Sequence, residues 1–194
     1  MSKPKLLYNR EEMLKLNIEV LQNRCNVTVM DIATIAHQQQ SKYYKGVDIK
    51  LCIESVEKIL TFRDVFHHIQ FAAEVDRLAE EKMFKGPIQD ILYYDLGLFG
   101  LDETLGLDVA RNYGAIGQTN FGDIDVNKRG VVARLNEDGK KDGVVHTLMD
   151  DIVGAIAAAA STRVAQVMNE DLALENPSYQ KISLFDLKNS KKGK

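Results

Sequence analysis

Apolar positions along this chain recur at three- and four-residue steps, the signature of helices with one buried face. Between Asn9 and Arg24, Met13, Leu14, Leu16, Ile18, Val20 and Leu21 fall among charged neighbours, which predicts a first helix opened by Asn9 and Glu12. A second is expected from Thr28 to about Gln40, with Thr28 as its cap and Asp31 three residues on. Asp48 is placed to start a third through Leu51, Ile53, Val56, Ile59 and Leu60. The "TFRD" at Thr61 to Asp64 repeats the start signal for a fourth helix reaching about Lys85. Gly86-Pro87 ends that helix and "PIQDILYYDL" forms a short one.

The segment from Tyr113 to Asn127, "YGAIGQTNFGDIDVN", is rich in glycine, asparagine and aspartate and reads as an irregular connection. Strand signals are confined to the short runs "GVVARL" and "KISLF". The expected fold is therefore all-α: a single compact multi-helix domain with a buried small-residue helix toward the C-terminus. Residues 1–170 are assigned to that domain, and 171–194 to a C-terminal extension ending in the flexible basic tail "KNSKKGK".

The chain has 194 residues, 45% hydrophobic and 27% charged, with a net charge of −3. That balance argues against a general nucleic-acid binder. The longest apolar run, Ile152 to Ala160, is too short to span a bilayer, so a cytoplasmic protein is expected. Cys25 and Cys52 lack partners at metal-binding spacing and read as reduced, partly buried thiols.

Chemistry concentrates where two acids precede a run of small residues, in "HTLMDDIVGAIAAAAST". Thr147 and Asp150 fit a capping box, and both Asp150 and Asp151 suit the positive end of a helix. The helix that follows is small and apolar all round and is expected to be buried, where an isolated carboxylate is costly unless paired, protonated or bound to a cation. The motif "DDIVG" is echoed by "DETLG", Asp102 to Gly106. Each glycine lies one turn after the first acid, where a missing side chain would let another helix backbone approach. Two such helix starts packed together would gather Asp102, Glu103, Asp150 and Asp151 into one volume fit for Mg²⁺, with Mn²⁺ and Ca²⁺ as alternatives. Two unrelated acidic caps would explain the same residues. His146 could orient a carboxylate or act as general acid, and Lys128 and Arg129 could contact a substrate phosphate. Arg134, Lys140 and Lys141 add further positive charge, although a solvated charge run accounts for each singly. Asn120, Asp123 and Asp125 could supply oxygens or simply form a turn.

Three stretches, "LDETLGL", "GQTNFGDIDVNKRGV" and above all "GVVHTLMDDIVGAIAAAAS", resemble phosphatidylglycerophosphatase A and its soluble all-helical relatives, most strongly from Leu98 to Ala165. The resemblance implies a Mg²⁺-dependent phosphatase that converts phosphatidylglycerophosphate to phosphatidylglycerol. It matches Asp102 and Glu103 to the family's Asp-Glu, and Asp150 and Asp151 to its Asp-Asp. Membrane-bound members carry spanning helices and an N-terminal glycine- and proline-rich motif, neither of which is found here. The chain is thus expected to meet a lipid head group at the membrane surface, through peripheral contact at its inner face, or to act on a soluble phosphorylated molecule.

Metal-dependent phosphomonoester hydrolysis is the first expectation, with Asp102, Glu103, Asp150, Asp151 and His146 catalytic and the four acids holding the metal. A non-catalytic helical regulator or scaffold is the second, and a nucleotide-phosphate hydrolase the third. The smooth small-residue helix further suggests a homodimer or higher homo-oligomer.

Overall fold

The structure is a computed structural model and describes residues 8–97 and 99–175. Helices α1 (Arg10–Cys25), α2 (Val29–Gln40), α3 (Ile49–Leu60), α4 (Arg63–Glu80) and α5 (Pro87–Tyr93) are followed by α6 (Leu101–Ala110), α7 (Gly114–Asn127), α8 (Gly130–Asp138) and α9 (Met149–Glu175). The described residues contain no strand, so the class is all-α, and "GVVARL" lies in α8. "KISLF" and the basic tail lie outside the described residues. Two units are distinguished, residues 1–164 and 165–194; the second is described only over 165–175, where it is the end of α9.

Local chemistry explains the first helix starts. Reciprocal side-chain bonds join Asn9 to Glu12 and Thr28 to Asp31, satisfying backbone N–H groups that a helix leaves open at its N-terminus. Asp48 likewise accepts from the Lys50 N–H at the start of α3. At "TFRD" the expectation fails. The Thr61 hydroxyl donates to the Lys58 carbonyl at the end of α3, leaving Phe62 to open α4 without a side-chain cap. The fourth helix also stops at Glu80, before Lys82 takes a positive φ of 56°.

The segment expected to be irregular is helix α7, which buries Gly117, Phe121 and Ile124 on one face. Its glycines misled because glycine marks close approach as well as turning. A Cβ on Gly117 would run into the Ala110 carbonyl oxygen, so no larger residue fits beside the end of α6.

Helix α9 forms the middle of the first unit. Every residue from Met149 to Thr162 is buried, and small side chains let neighbouring helices approach from several sides. Gln40 donates to Ser161, Asn120 to Thr162 and Arg163 to Ser55, tying α9 to α2, α7 and α3. The chain itself therefore encloses the small-residue surface that suggested self-association.

The start of α9 is not capped as its sequence suggests. Thr147 donates its hydroxyl to the Leu92 carbonyl, and the backbone N–H groups of Leu148 and Met149 go instead to the carboxyl group of Asp76 on α4. Asp76 is fully buried, and burial pushes its carboxyl up while those two N–H donors and Arg24 oppose the rise. The echoed glycines also do something other than bring helix backbones together. A Cβ on Gly106 would lie 2.5 Å from the tip of the Phe121 ring, and one on Gly154 would lie 3.6 Å from the same ring. Phe121 therefore packs against the second turns of both α6 and α9.

Gly106→Ala should lower stability by roughly 1–3 kcal/mol, because Phe121 is buried and has little room to retreat. Urea denaturation should show part of that loss recovered in Gly106→Ala/Phe121→Leu. An additive loss in the double variant would mean that the ring is not what excludes the methyl group.

Candidate metal centre

Four segments close around one chamber. The first turn of α6 supplies Asp102 and Glu103, and the first turn of α9 supplies Asp150 and Asp151. The end of α7 contributes Asp125 with Lys128 just beyond it, and the turn after α5 adds Asp95, Leu96 and Gly97. With Thr147, these residues line a cavity of about 270 Å³. Both helix starts carry the positive end of a backbone dipole, which favours acids there.

One carboxylate oxygen from each of Asp102, Glu103 and Asp151 can be chosen so that all three lie within 4.8 Å of one another. Glu103 Oε2 is buried and has no hydrogen-bond partner. Three carboxylates offering hard oxygen donors, with one Glu103 oxygen unsatisfied, fit a divalent cation of the Mg²⁺ or Ca²⁺ type better than a soft metal. The cluster can hold a metal.

Lys128 sits opposite these donors. Its Nζ is 2.8 Å from Asp125 Oδ1, 3.1 Å from Asp150 Oδ2 and 3.6 Å from Asp151 Oδ1. Burial works to lower the ammonium, but Asp150, Asp125 and Asp151 together raise it above the usual lysine range, so it remains charged. The acids respond in the other direction. Burial, and then the Asp150 charge, push Asp151 up to about 9. Burial also raises Asp150, although Lys128 pulls it down. Asp102 is pushed up to about 7 by burial and by the adjacent Glu103, while hydrogen bonding from Asp102 holds Glu103 down.

The structure thus brings Asp102, Glu103, Asp150, Asp151 and Lys128 to one chamber, but it does not bring His146 or Arg129 there. His146 points elsewhere: its Nδ1 is buried without a partner, and burial, followed by Arg24, pushes the imidazole down to about 4. Only its backbone carbonyl serves the site's helix, accepting from the Asp150 N–H. Arg129 forks onto both oxygens of Asp123, at 2.5 and 3.1 Å, and also donates to Gln39. Asp123 is correspondingly held down to about 2 by the Arg129 hydrogen bonds. Asn120 is occupied by Thr162.

Asp95 was not singled out by spacing. It stands in "YYDLG" beyond a short helix with a φ of 46°, a conformation that no sequence period marks. Asp125 becomes distinct from its neighbours only once α7 is recognised as a helix, since three residues then bring it level with Lys128. Cys25 and Cys52 are free and buried, and burial pushes their thiols up to about 12 and about 11. No described helix is long and apolar enough to cross a membrane.

Comparison with known proteins matches this architecture. The family model for phosphatidylglycerophosphatase A covers residues 40–166. The uncharacterized protein YpjQ of Bacillus subtilis is 39% identical over 165 residues, 85% of this chain and 90% of that protein. The uncharacterized protein YutG of the same organism is 44% identical over 139 residues, 72% and 82% of the two chains. The crystal structure of the low temperature requirement C protein from Listeria monocytogenes shares the fold with a TM-score of 0.77 and 39% identity, over 81% of this chain and 97% of that one.

The raised carboxyl group of Asp151 makes the metal-free fold pH-sensitive. Its proton is retained in the folded chain after the unfolded chain has lost it, so stability should fall as pH rises from 3.8 toward about 9. In chelator, thermal melting should show this decline, with a shallower slope in Asp151→Asn. Added divalent cation should raise the melting temperature more at the alkaline end, where fewer protons must be displaced. Equal slopes in the two chains would count against Asp151 as the source.

Proposed function

The chain belongs to the phosphatidylglycerophosphatase A family, and on that premise we propose that it is a Mg²⁺-dependent phosphomonoesterase that converts phosphatidylglycerophosphate to phosphatidylglycerol and phosphate. The observation that carries this reading is the pairing, in one small chamber, of a three-carboxylate cluster with a half-buried ammonium. A phosphate monoester dianion needs positive charge on its oxygens and a positioned water behind phosphorus. Acids alone would repel it.

Asp102, Glu103 and Asp151 would hold the metal. When bound, the metal would neutralise phosphate charge and lower the pKa of a coordinated water. The chain's own groups have separate tasks. Lys128, already inside the chamber, would turn its Nζ from Asp125 and Asp150 toward the phosphate oxygens. Asp150, released from that contact, would accept a proton from the attacking water. Asp95, which lines the cavity with its carboxyl raised by burial, would return a proton to the departing glycerol oxygen. Asp150 and Asp151, the most buried of these groups, interact in surroundings where charge is less screened than in bulk water.

Inorganic phosphate release should be measured with and without Mg²⁺, comparing phosphatidylglycerophosphate in detergent micelles with soluble phosphomonoesters and nucleotides. Chelator-sensitive, lipid-selective release is the expected result. Asp151→Asn should reduce kcat/KM by roughly a hundredfold or more with helicity preserved, and Lys128→Met should do likewise with a raised KM. A folded sample that releases phosphate from none of these substrates would overturn the reading in favour of a non-catalytic protein; selective release from nucleotides would reassign the substrate.

A further inference from the structure

Exposed apolar side chains stand beside the acids at the chamber's edge. Leu96 lines the cavity and is 48% exposed, Leu101 directly precedes Asp102 and is 51% exposed, and Tyr94 is 66% exposed. A soluble substrate gains little from such a border. These side chains also belong to a firmly backed surface: Phe84 and Phe99 both pack against the buried cluster of Ala79, Leu92, Tyr93 and Val145. The turn after α4 and the turn after α5 are thereby fixed at the same end of the first unit. From the first turn Met83 projects, 63% exposed, with exposed Lys82 and Lys85 on either side of it in sequence order. Lys82 Nζ lies 4.9 Å from the centre of the Tyr93 ring, and the Tyr94 ring meets that same ring edge-on at 5.1 Å. The turn that supplies Asp95 and Leu96 to the chamber therefore also carries Tyr94, and through the Tyr93 ring it meets the basic turn after α4.

We infer that the rim formed by Tyr94, Leu96, Leu101 and Met83, with Lys82 and Lys85 beside it, docks onto the surface of an anionic lipid bilayer and sets the chamber mouth at head-group level. This rests on the reading of the substrate as a lipid phosphate monoester. The occupant follows from size and solvation. A cavity of about 270 Å³ admits a phosphorylated glycerol head but has no room for two acyl chains. Withdrawing those chains into water would expose every methylene, so the chamber must reach the head group while the chains stay in the membrane. Leucine and methionine at the mouth can enter the acyl boundary, tyrosine suits the interface, and the two lysines complement lipid phosphates. The acids deeper in the chamber would otherwise be repelled by such a surface.

The chain contains no tryptophan, which gives a direct test. Leu101→Trp places a lone fluorophore on the rim, and Met30→Trp places one at an exposed position on α2, which supplies nothing to the chamber. With phosphatidylcholine vesicles containing phosphatidylglycerol, emission from the first should shift to the blue and be quenched by brominated acyl chains, while the second stays unchanged. Tyr94→Ser/Leu101→Ser should weaken vesicle co-sedimentation by roughly tenfold for each apolar side chain removed. Lys82→Glu/Lys85→Glu should abolish the preference for phosphatidylglycerol over pure phosphatidylcholine. No shift at Leu101→Trp, or equal shifts at both probes, would overturn the inference. Insertion without phosphate release from any substrate would keep the docking surface and reject the phosphatase reading. Hydrolysis of micellar lipid without insertion into vesicles would do the reverse.

Discussion

Two neighbouring carboxylates buried at the first turn of one helix are the constraint around which this fold is arranged. Asp150 and Asp151 are both buried, and each would be driven to its neutral form by that burial if nothing compensated. Lys128 supplies the compensating charge from outside the helix, and the dipole of α9 adds to it. At the helix end itself Asp150 accepts only the adjacent Asp151 N–H. Capping passes to Asp76, an acid from a different helix, which receives the Leu148 and Met149 N–H groups. One buried acid thus caps the helix so that two others can face the cavity.

Bringing α6 against α9 at this depth requires small residues just behind the acids. Gly106 and Gly154 make room for Phe121, whose ring fills the space behind the two acidic helix starts. The alanines beyond Gly154 let the surrounding helices approach α9, and the polar bonds at Ser161 and Thr162 fix its rotation. Rotation matters because adjacent positions differ by about 100° around a helix. A modest turn of α9 would remove Asp151 from the carboxylates of α6.

Much of this was legible in the residues. Helical periodicity and the Asn9 and Thr28 caps gave the first elements, and the paired motifs "DETLG" and "DDIVG" located the chamber, because two acids before a close-packing glycine constrain neighbours on both sides. What escaped depended on contacts distant in sequence. Thr61 and Thr147 have the cap signature, yet each hydroxyl is taken by a backbone carbonyl, at Lys58 and Leu92 respectively. The glycines of α7 were read as turns because nothing local reveals that Ala110 lies against Gly117. His146 looked catalytic from its spacing to Asp150, but burial and the Arg24 charge depress its basicity on the far side of the helix start.

Lys128 shows which interaction prevails when local and tertiary preferences conflict. It is not glycine, yet it takes a φ of 34° directly after α7, a conformation costing roughly 1–3 kcal/mol. The neighbouring fork from Arg129 to Asp123 is part-exposed, and such pairs contribute about 1 kcal/mol or less, too little to impose the strain alone. The ammonium makes two charged hydrogen bonds, at 2.8 Å to the half-buried Asp125 and 3.1 Å to the buried Asp150, and a charged bond to a buried group contributes about 1.5–3 kcal/mol. The attraction between Nζ and the chamber's acids therefore holds the backbone, while Arg129 tethers the following residue. The one side chain thus ties the α7–α8 turn to the carboxylates that line the chamber.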